Sequence, residues 1–171
     1  MRPNMQHINL PTDFDHVVLN VNRVSRVVKG GRRFRNRAVV VIGNRKGRVG
    51  VGVAKGADRT IAIQKAVNVA QRNLIQAVIE EPTTIPHEVL SKVGGAKILL
   101  KPANDGTGII AGDTVQRILD LAGYHNIYSK SLGRTNKINV AYAVMEALKQ
   151  LQPKDKWHIN LIKETQQAVQ S

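Results

Sequence analysis

The 171-residue chain contains no cysteine. That excludes a disulfide framework, a thiol nucleophile and any cysteine-ligated zinc site. Aromatic residues make up only 4%, so a core must be assembled from Val, Ile, Leu and Ala. No apolar run approaches the ~18 residues that a membrane span requires. The amino terminus, Met1-Arg2-Pro3-Asn4-Met5, lacks the apolar stretch of a secretory signal, and Asp13 and Asp15 argue against a transit peptide. The five histidines (His7, His16, His87, His125 and His158) come no closer than nine residues to one another and share no metal-ligand spacing. Ser129 and Ser131 lie near His125 and Asp120, but no nucleophile-elbow pattern surrounds them. The expectation is a soluble, intracellular, non-enzymatic protein with no membrane, metal, cofactor or small-molecule substrate.

Negative charge is the other scarcity, and it is local. Twelve of the 26 basic residues fall between Arg23 and Arg59, with Asp58 the single acid among them. They are Arg23, Arg26, Lys29, Arg32, Arg33, Arg35, Arg37, Arg45, Lys46, Arg48, Lys55 and Arg59. This stretch supplies +11 of the formal +14, and the rest of the chain is nearly balanced, with 14 bases and 11 acids. Charge packed this densely repels itself unless a polyanion lies against it. The bases alternate with Val39-Val40-Val41-Ile42, Val49, Val51 and Val53, the composition of a folded surface and not of a disordered tail. Nucleic acid is the expected polyanion.

The hydrophobic period divides the chain into two small α+β domains. Residues 1–16 read as a flexible arm. Residues 17–81 read as three antiparallel strands and a helix: Val17–Val28, Phe34–Ile42, Arg48–Ala54, then a helix capped by Asp58 and running to about Glu80. Its expected stripe is Ile63, Val67, Ala70, Leu74 and Val78. Lys29-Gly30-Gly31-Arg32 reads as a hairpin whose adjacent glycines supply positive φ. Gly50 and Gly52, alternating with valines, are expected to leave one strand face bare for close approach. The boundary falls at Glu80-Glu81-Pro82-Thr83-Thr84-Ile85-Pro86, where two prolines stop the helix. Residues 87–152 then read as a β-α-β-α unit, with a Gly94-Gly95 hairpin, helices at about 113–122 and 136–151, and a strand over 124–132. A polar tail, 153–171, follows.

Two glycine motifs carry rival readings. Gly106-Thr107-Gly108-Ile109-Ile110-Ala111 fits the G-x-G-x-x-[GA] dinucleotide pattern, but it stands away from a strand–helix junction and no acid follows on a second strand. A packing or backbone-approach role is expected there instead. Gly47-Arg48-Val49-Gly50 is a G-x-x-G, but strands flank it, where a KH domain has helices.

Several motifs recur together in one order. Val21-Asn22-Arg23-Val24-Ser25-Arg26-Val27-Val28-Lys29-Gly30-Gly31-Arg32-Arg33-Phe34 and Gly47-Arg48-Val49-Gly50-Val51-Gly52 are followed by Ala62-Ile63-Gln64-Lys65-Ala66 and Arg72-Asn73-Leu74-Ile75. Pro102-Ala103-Asn104-Asp105-Gly106-Thr107-Gly108-Ile109-Ile110-Ala111-Gly112, Ala122-Gly123-Tyr124-His125-Asn126 and Thr135-Asn136-Lys137-Ile138-Asn139-Val140 complete the set. Over roughly Asn20 to Leu151 this resembles the bacterial family of small-subunit ribosomal protein number five. The resemblance implies a double-stranded-RNA-binding-like first domain and a second β-α-β-α domain with a left-handed crossover. It also implies small-subunit rRNA, ribosomal proteins number four and number eight, and mRNA near the entry channel as partners in the cytoplasmic ribosome. Roles in decoding accuracy and in the response to spectinomycin come with it. The chain departs from the family in two places. Asn44-Arg45-Lys46 replaces the usual Asp-Gly-Asn of the second turn, which points to a turn laid closer to phosphate. Asn36 stands where a second aromatic is common.

The candidate RNA-binding residues are Arg23, Arg26, Lys29, Gly30, Gly31, Arg32, Arg33, Arg35, Arg45, Lys46, Arg48 and Lys55. Lys101, Asn104, Asp105 and Thr107 are further candidates for RNA or protein contact, in a second domain assigned mainly to protein partners. Two other readings stay open at this point. One is a free double-stranded-RNA-binding regulator; the other is a nucleotide-using phosphotransfer enzyme built on the Gly106–Gly112 loop.

Overall fold

A computed structural model describes residues 13–80 and 83–154. The arm as far as residue 12 and the tail from residue 155 lie outside the described residues. The first half holds β1 (Asp15–Val28), β2 (Gly31–Gly43), β3 (Arg48–Gly56), α1 (Arg59–Arg72) and β4 (Leu74–Gln76), with the strands ordered β1-β2-β3-β4. All neighbouring strands are antiparallel. The register of β1 slips between Val18 and Asn20. This bulge lets Leu19 enter the core.

Two expectations fail here for one reason. The helix ends at Arg72, well short of Glu80, and the sheet has four strands where three were read. The N–H of Asn73 closes α1 by bonding the Val69 and Ala70 carbonyls. Leu74–Gln76 then pairs with Arg48–Gly50. Leu74 and Val78 continue the helical period, but the unpaired edge of β3 recruits the segment, and strand pairing overrides periodicity. Asp58 does occupy the helix N-cap position, although its side chain makes no capping bond.

Both faces of the first sheet are covered. Ala38, Val40 and Ile42 pack on α1 through Ala62, Ala66, Val67 and Ala70. Val39, Val41, Val49 and Val51 face the other way and join the core of the second half. A continuous β-branched run suits a strand buried on both sides. The face left bare by Gly50 and Gly52 is therefore filled from within the protein. A Cβ at Gly52 would strike the Ala66 carbonyl oxygen, and one at Gly50 the carbonyl oxygen of Ala70.

The second half holds β5 (Val89–Val93), β6 (Ala96–Pro102), β7 (Ile109–Ile110), α2 (Asp113–Ala122), β8 (Ile127–Ser131) and α3 (Lys137–Gln150). Its strand order is β5-β6-β8-β7, with β8 antiparallel to β6 and parallel to β7. The β-α-β-α reading and its Gly94-Gly95 hairpin hold, with the hairpin joining β5 to β6, and the two-residue β7 is added. Asn136 caps α3 by accepting the Ile138 N–H at 3.1 Å. Gly123 ends α2 with φ +98°. Alternate residues of β5 and β6 point inward under α3, where the Ser91 hydroxyl donates to the Ala143 carbonyl at 2.6 Å.

The two halves share one core. The Arg45 and Gly47 N–H groups donate to the carbonyls of Leu121 and Ala122 at 2.9 and 2.8 Å, satisfying carbonyls at the buried C-terminal end of α2 that have no partner within the helix. Tyr124 is fully buried, and its hydroxyl donates to the Val78 carbonyl at 2.6 Å. Between the halves, Thr84 and Ile85 are also buried, so this stretch is a seam and not a loose connection.

Candidate nucleic-acid interface

The candidate basic residues form two groups, not the single cluster read from the sequence. β2 pairs with β3 only from Asn36 onward. From Gly31 to Arg35 its sole neighbour is β1, Val24–Val28. These segments make a two-stranded ribbon that extends past the edge of the sheet, and Asn36 Nδ2 anchors its base to the Ala57 carbonyl at 3.0 Å. Arg23, Arg26, Lys29, Arg32, Arg33 and Arg35 stand on this ribbon, all exposed. Arg45, Lys46 and Arg48 lie at the other end of β2. Along β2, at ~3.3 Å per residue, Arg35 stands about 26 Å from the turn and the ribbon tip about 40 Å from it.

Side-chain alternation gives the ribbon two different faces. Arg26, Arg33 and Arg35 share one face with Val24 and Val28, and Lys55 joins them around a shallow bowl. Arg23, Val27, Arg32 and Phe34 take the other face. There the Arg23 guanidinium sits 3.9 Å above the Phe34 ring, while Val27 and Phe34 remain 73% and 49% exposed. Sequence analysis missed this pairing. Its signal was the two-residue loop, which fixes Ser25 opposite Phe34 and places Arg23 on the diagonal. Among the described residues no ion pair joins any of the six ribbon bases.

The turn chemistry also differs from expectation. Lys29 and Gly30 form the tip, and only Gly31 has positive φ, at +140°. In the second turn Arg45 itself adopts φ +55°. Asn44 Oδ1 accepts the Lys46 and Arg48 N–H groups at 2.9 and 3.0 Å, an Asx arrangement that suits Asn well. The backbone of this turn docks on α2, so the departure at Asn44-Arg45-Lys46 falls at the junction of the halves. Arg45 pairs loosely with Asp15 at 3.5 Å, and Arg48 Nε reaches Gln76 Oε1 at 3.4 Å.

The four residues singled out in the second half do not converge. Lys101 lies on β6 and pairs with Glu88 at 3.0 Å. Asn104, Asp105 and Thr107 belong to a turn beside a cleft that is lined in part by Asp105, Asp113 and Asp120. Asp113 is paired with Arg117 of the same cleft at 2.7 Å, and the carboxylates of Asp105 and Asp120 oppose a phosphate. The turn's N–H groups are also occupied: Thr107 bonds the Asn104 carbonyl, Gly106 bonds Asp105 Oδ1 and Gly108 bonds Asn126 Oδ1. Asp105 Oδ1 also accepts from Asn126 Nδ2 at 3.2 Å. A pyrophosphate cradle needs those N–H groups free, so the geometry does not fit the dinucleotide fingerprint. The expected close packing at Gly108 is also absent. A Cβ there would meet nothing within 4 Å, and φ +77° is what selects glycine.

Comparison with known proteins matches both halves. Residues 14–77 fit the family model for ribosomal protein S5, N-terminal domain, and residues 91–160 fit ribosomal protein S5, C-terminal domain. Small ribosomal subunit protein uS5 of Thermus thermophilus is 48% identical over 143 residues, covering 84% of this chain and 88% of the relative. The protein of that name from Mycoplasma mobile is 50% identical over 139 residues, covering 81% of this chain and 57% of the longer relative. With both halves matched in order and near-half identity over most of its length, the chain belongs to the ribosomal protein S5 family.

Proposed function

We propose that the protein is a structural, non-enzymatic constituent of the small ribosomal subunit in the cytoplasm, binding small-subunit rRNA mainly through the β1–β2 ribbon. The observation that carries this reading is the ribbon's charge: six bases on a free two-stranded extension, without a partner carboxylate among the described residues. Such an extension repels itself in isolation and is relieved by phosphates on either side. A-form RNA hides its base edges in a deep, narrow groove, so recognition goes through shape and backbone. Arg26, Arg33, Arg35 and Lys55 hold phosphates from one face, Arg23 and Arg32 from the other, and Lys29 at the tip. Arg45, Lys46 and Arg48 form a separate contact, about 40 Å from the ribbon tip.

The second half is turned towards ribosomal proteins number four and number eight, and the whole contributes to decoding accuracy and the mRNA entry path. These finer roles rest on family membership. Salt titration tests the RNA reading. If about half of the twelve clustered bases neutralise phosphates at once, about six counterions are released, so log K for small-subunit rRNA against log salt slopes near −5. Affinity then falls roughly a thousandfold between ~50 and ~200 mM salt. A slope shallower than about −2 would remove the ribbon as the main contact.

A further inference from the structure

The near-neutral charge count of the second half conceals a segregation. Along β5, β6 and β8 burial alternates residue by residue. The inner face lies under α2 and α3, whereas no described element covers the outer one. Lys92, Lys97, Lys101 and Lys130 all project from that outer face. Its carboxylate is Glu88, already joined to Lys101 at 3.0 Å. Asp105, Asp113 and Asp120 sit on the cleft beside α2 instead.

The registers place the lysines as neighbours. Lys92 stands directly opposite Lys97, and Lys130 opposite Leu99 on the next strand. A direct Lys–Lys cross-strand pair opposes sheet formation. Among the described residues no acid offsets Lys92, Lys97 or Lys130. Apolar side chains share the face: Leu90, 48% exposed, and Tyr128, 44%, lie among the lysines, and Ile110, 53%, flanks Tyr128 on the edge strand β7. Lysine is depleted at protein–protein interfaces. Here it is interleaved with the apolar groups and does not merely rim them. Charge complementarity therefore favours a polyanion whose charges are spaced by less polar groups.

From this we infer that the open face of the second sheet is a second RNA-binding surface, with Lys92, Lys97 and Lys130 on phosphates and Leu90, Tyr128 and Ile110 against the sugars and bases between them. The inference rests on the rRNA-binding reading above, but uses a different face and different residues. The full-length protein is titrated with a small-subunit rRNA transcript in three forms: wild type, a Lys92→Ala/Lys97→Ala/Lys130→Ala variant, and an Arg26→Ala/Arg33→Ala/Arg35→Ala ribbon variant. The lysine variant is expected to lose at least about tenfold in affinity near 0.15 M salt and to show a slope shallower by roughly 2–3. Unchanged affinity and slope in the lysine variant, with the ribbon variant weakened, overturns the sheet surface alone. The opposite result overturns the ribbon reading and upholds the sheet. Amine acetylation of wild-type protein provides a readout that no variant's folding can confuse. Protection of Lys92, Lys97 and Lys130 by rRNA alone supports the inference. Protection that appears only when another ribosomal protein is added assigns the face to a protein partner and overturns it.

Discussion

Arg26 and Arg33 stand directly opposite one another across the β1–β2 ribbon, two like charges in one cross-strand pair. Nothing in the free protein recommends that arrangement, since like charges opposed on a sheet are destabilising. Replacing Arg33 with Thr should raise the melting temperature by about 1–2 °C in low salt, and screening should erase the gain in high salt. The same substitution should weaken rRNA binding. Melting curves at two salt concentrations beside one binding isotherm decide the matter. A variant that loses stability in low salt would show the pair to be structural.

The seam between the halves gives a second prediction. Tyr124→Phe leaves the carbonyl of half-buried Val78 without its 2.6 Å donor, a loss of about 1–2 kcal/mol. Burial also pushes the Tyr124 phenol well above its ordinary value near 10. A phenol raised on folding contributes stability that is fully present below pH ~10 and lost as pH climbs beyond it. Alkaline denaturation should therefore steepen above pH ~10 in the wild type and flatten in Tyr124→Phe. Denaturant titrations at pH 8 and pH 11 test both statements together.

Gly52 and Gly30 make a matched pair of tests. Alanine at Gly52 collides with the backbone of α1 at Ala66, whereas alanine at Gly30 meets no atom within 4 Å. Gly52→Ala should cost about 2–3 kcal/mol through overpacking, and Gly30→Ala close to nothing. Equal stability of the two variants in urea would show that α1 can move away freely.

Gly31 has φ +140°, a region that a β-branched residue rarely enters. Valine there should distort the ribbon tip at a cost of about 1–3 kcal/mol, leave the core intact and shift Lys29 and Arg32. The family resemblance implies a place for this loop near the rRNA that responds to spectinomycin, and the test is direct. Ribosomes carrying Gly31→Val should assemble yet respond less to the drug. Unchanged sensitivity, with the variant protein present in the subunit, would remove the ribbon from that neighbourhood.

Much of the architecture was legible because local signals agreed with tertiary need. Asn136 and Gly123 bound their helices as capping chemistry dictates, and the Gly94-Gly95 hairpin falls between β5 and β6. The end of α1 was illegible, because Leu74 and Val78 continue its period while the edge of β3, invisible to a local window, claims the same segment. The basic cluster was legible as charge but not as two sites, since adjacency along an extended strand is distance in space. Glycine alternation in β3 was read correctly as close approach. The approaching surface is α1, which the sequence places just downstream but does not orient. The lysines of the second sheet were hidden by a net count that averages over opposite faces.

β2 runs without interruption from the turn docked on α2 to the exposed tip of the ribbon. From Asn36 onward it is paired on both sides and, from Ala38, buried, so the free arm is Gly31–Arg35, hinged where Asn36 bonds the Ala57 carbonyl. With an arm of about 16 Å, a tilt of ~10° at that base would sweep the tip through about 3 Å. That is the length of a hydrogen bond, enough to move a guanidinium off its phosphate. Substitutions at Asn36 or Ala57 can thus change what happens at Lys29 without touching it.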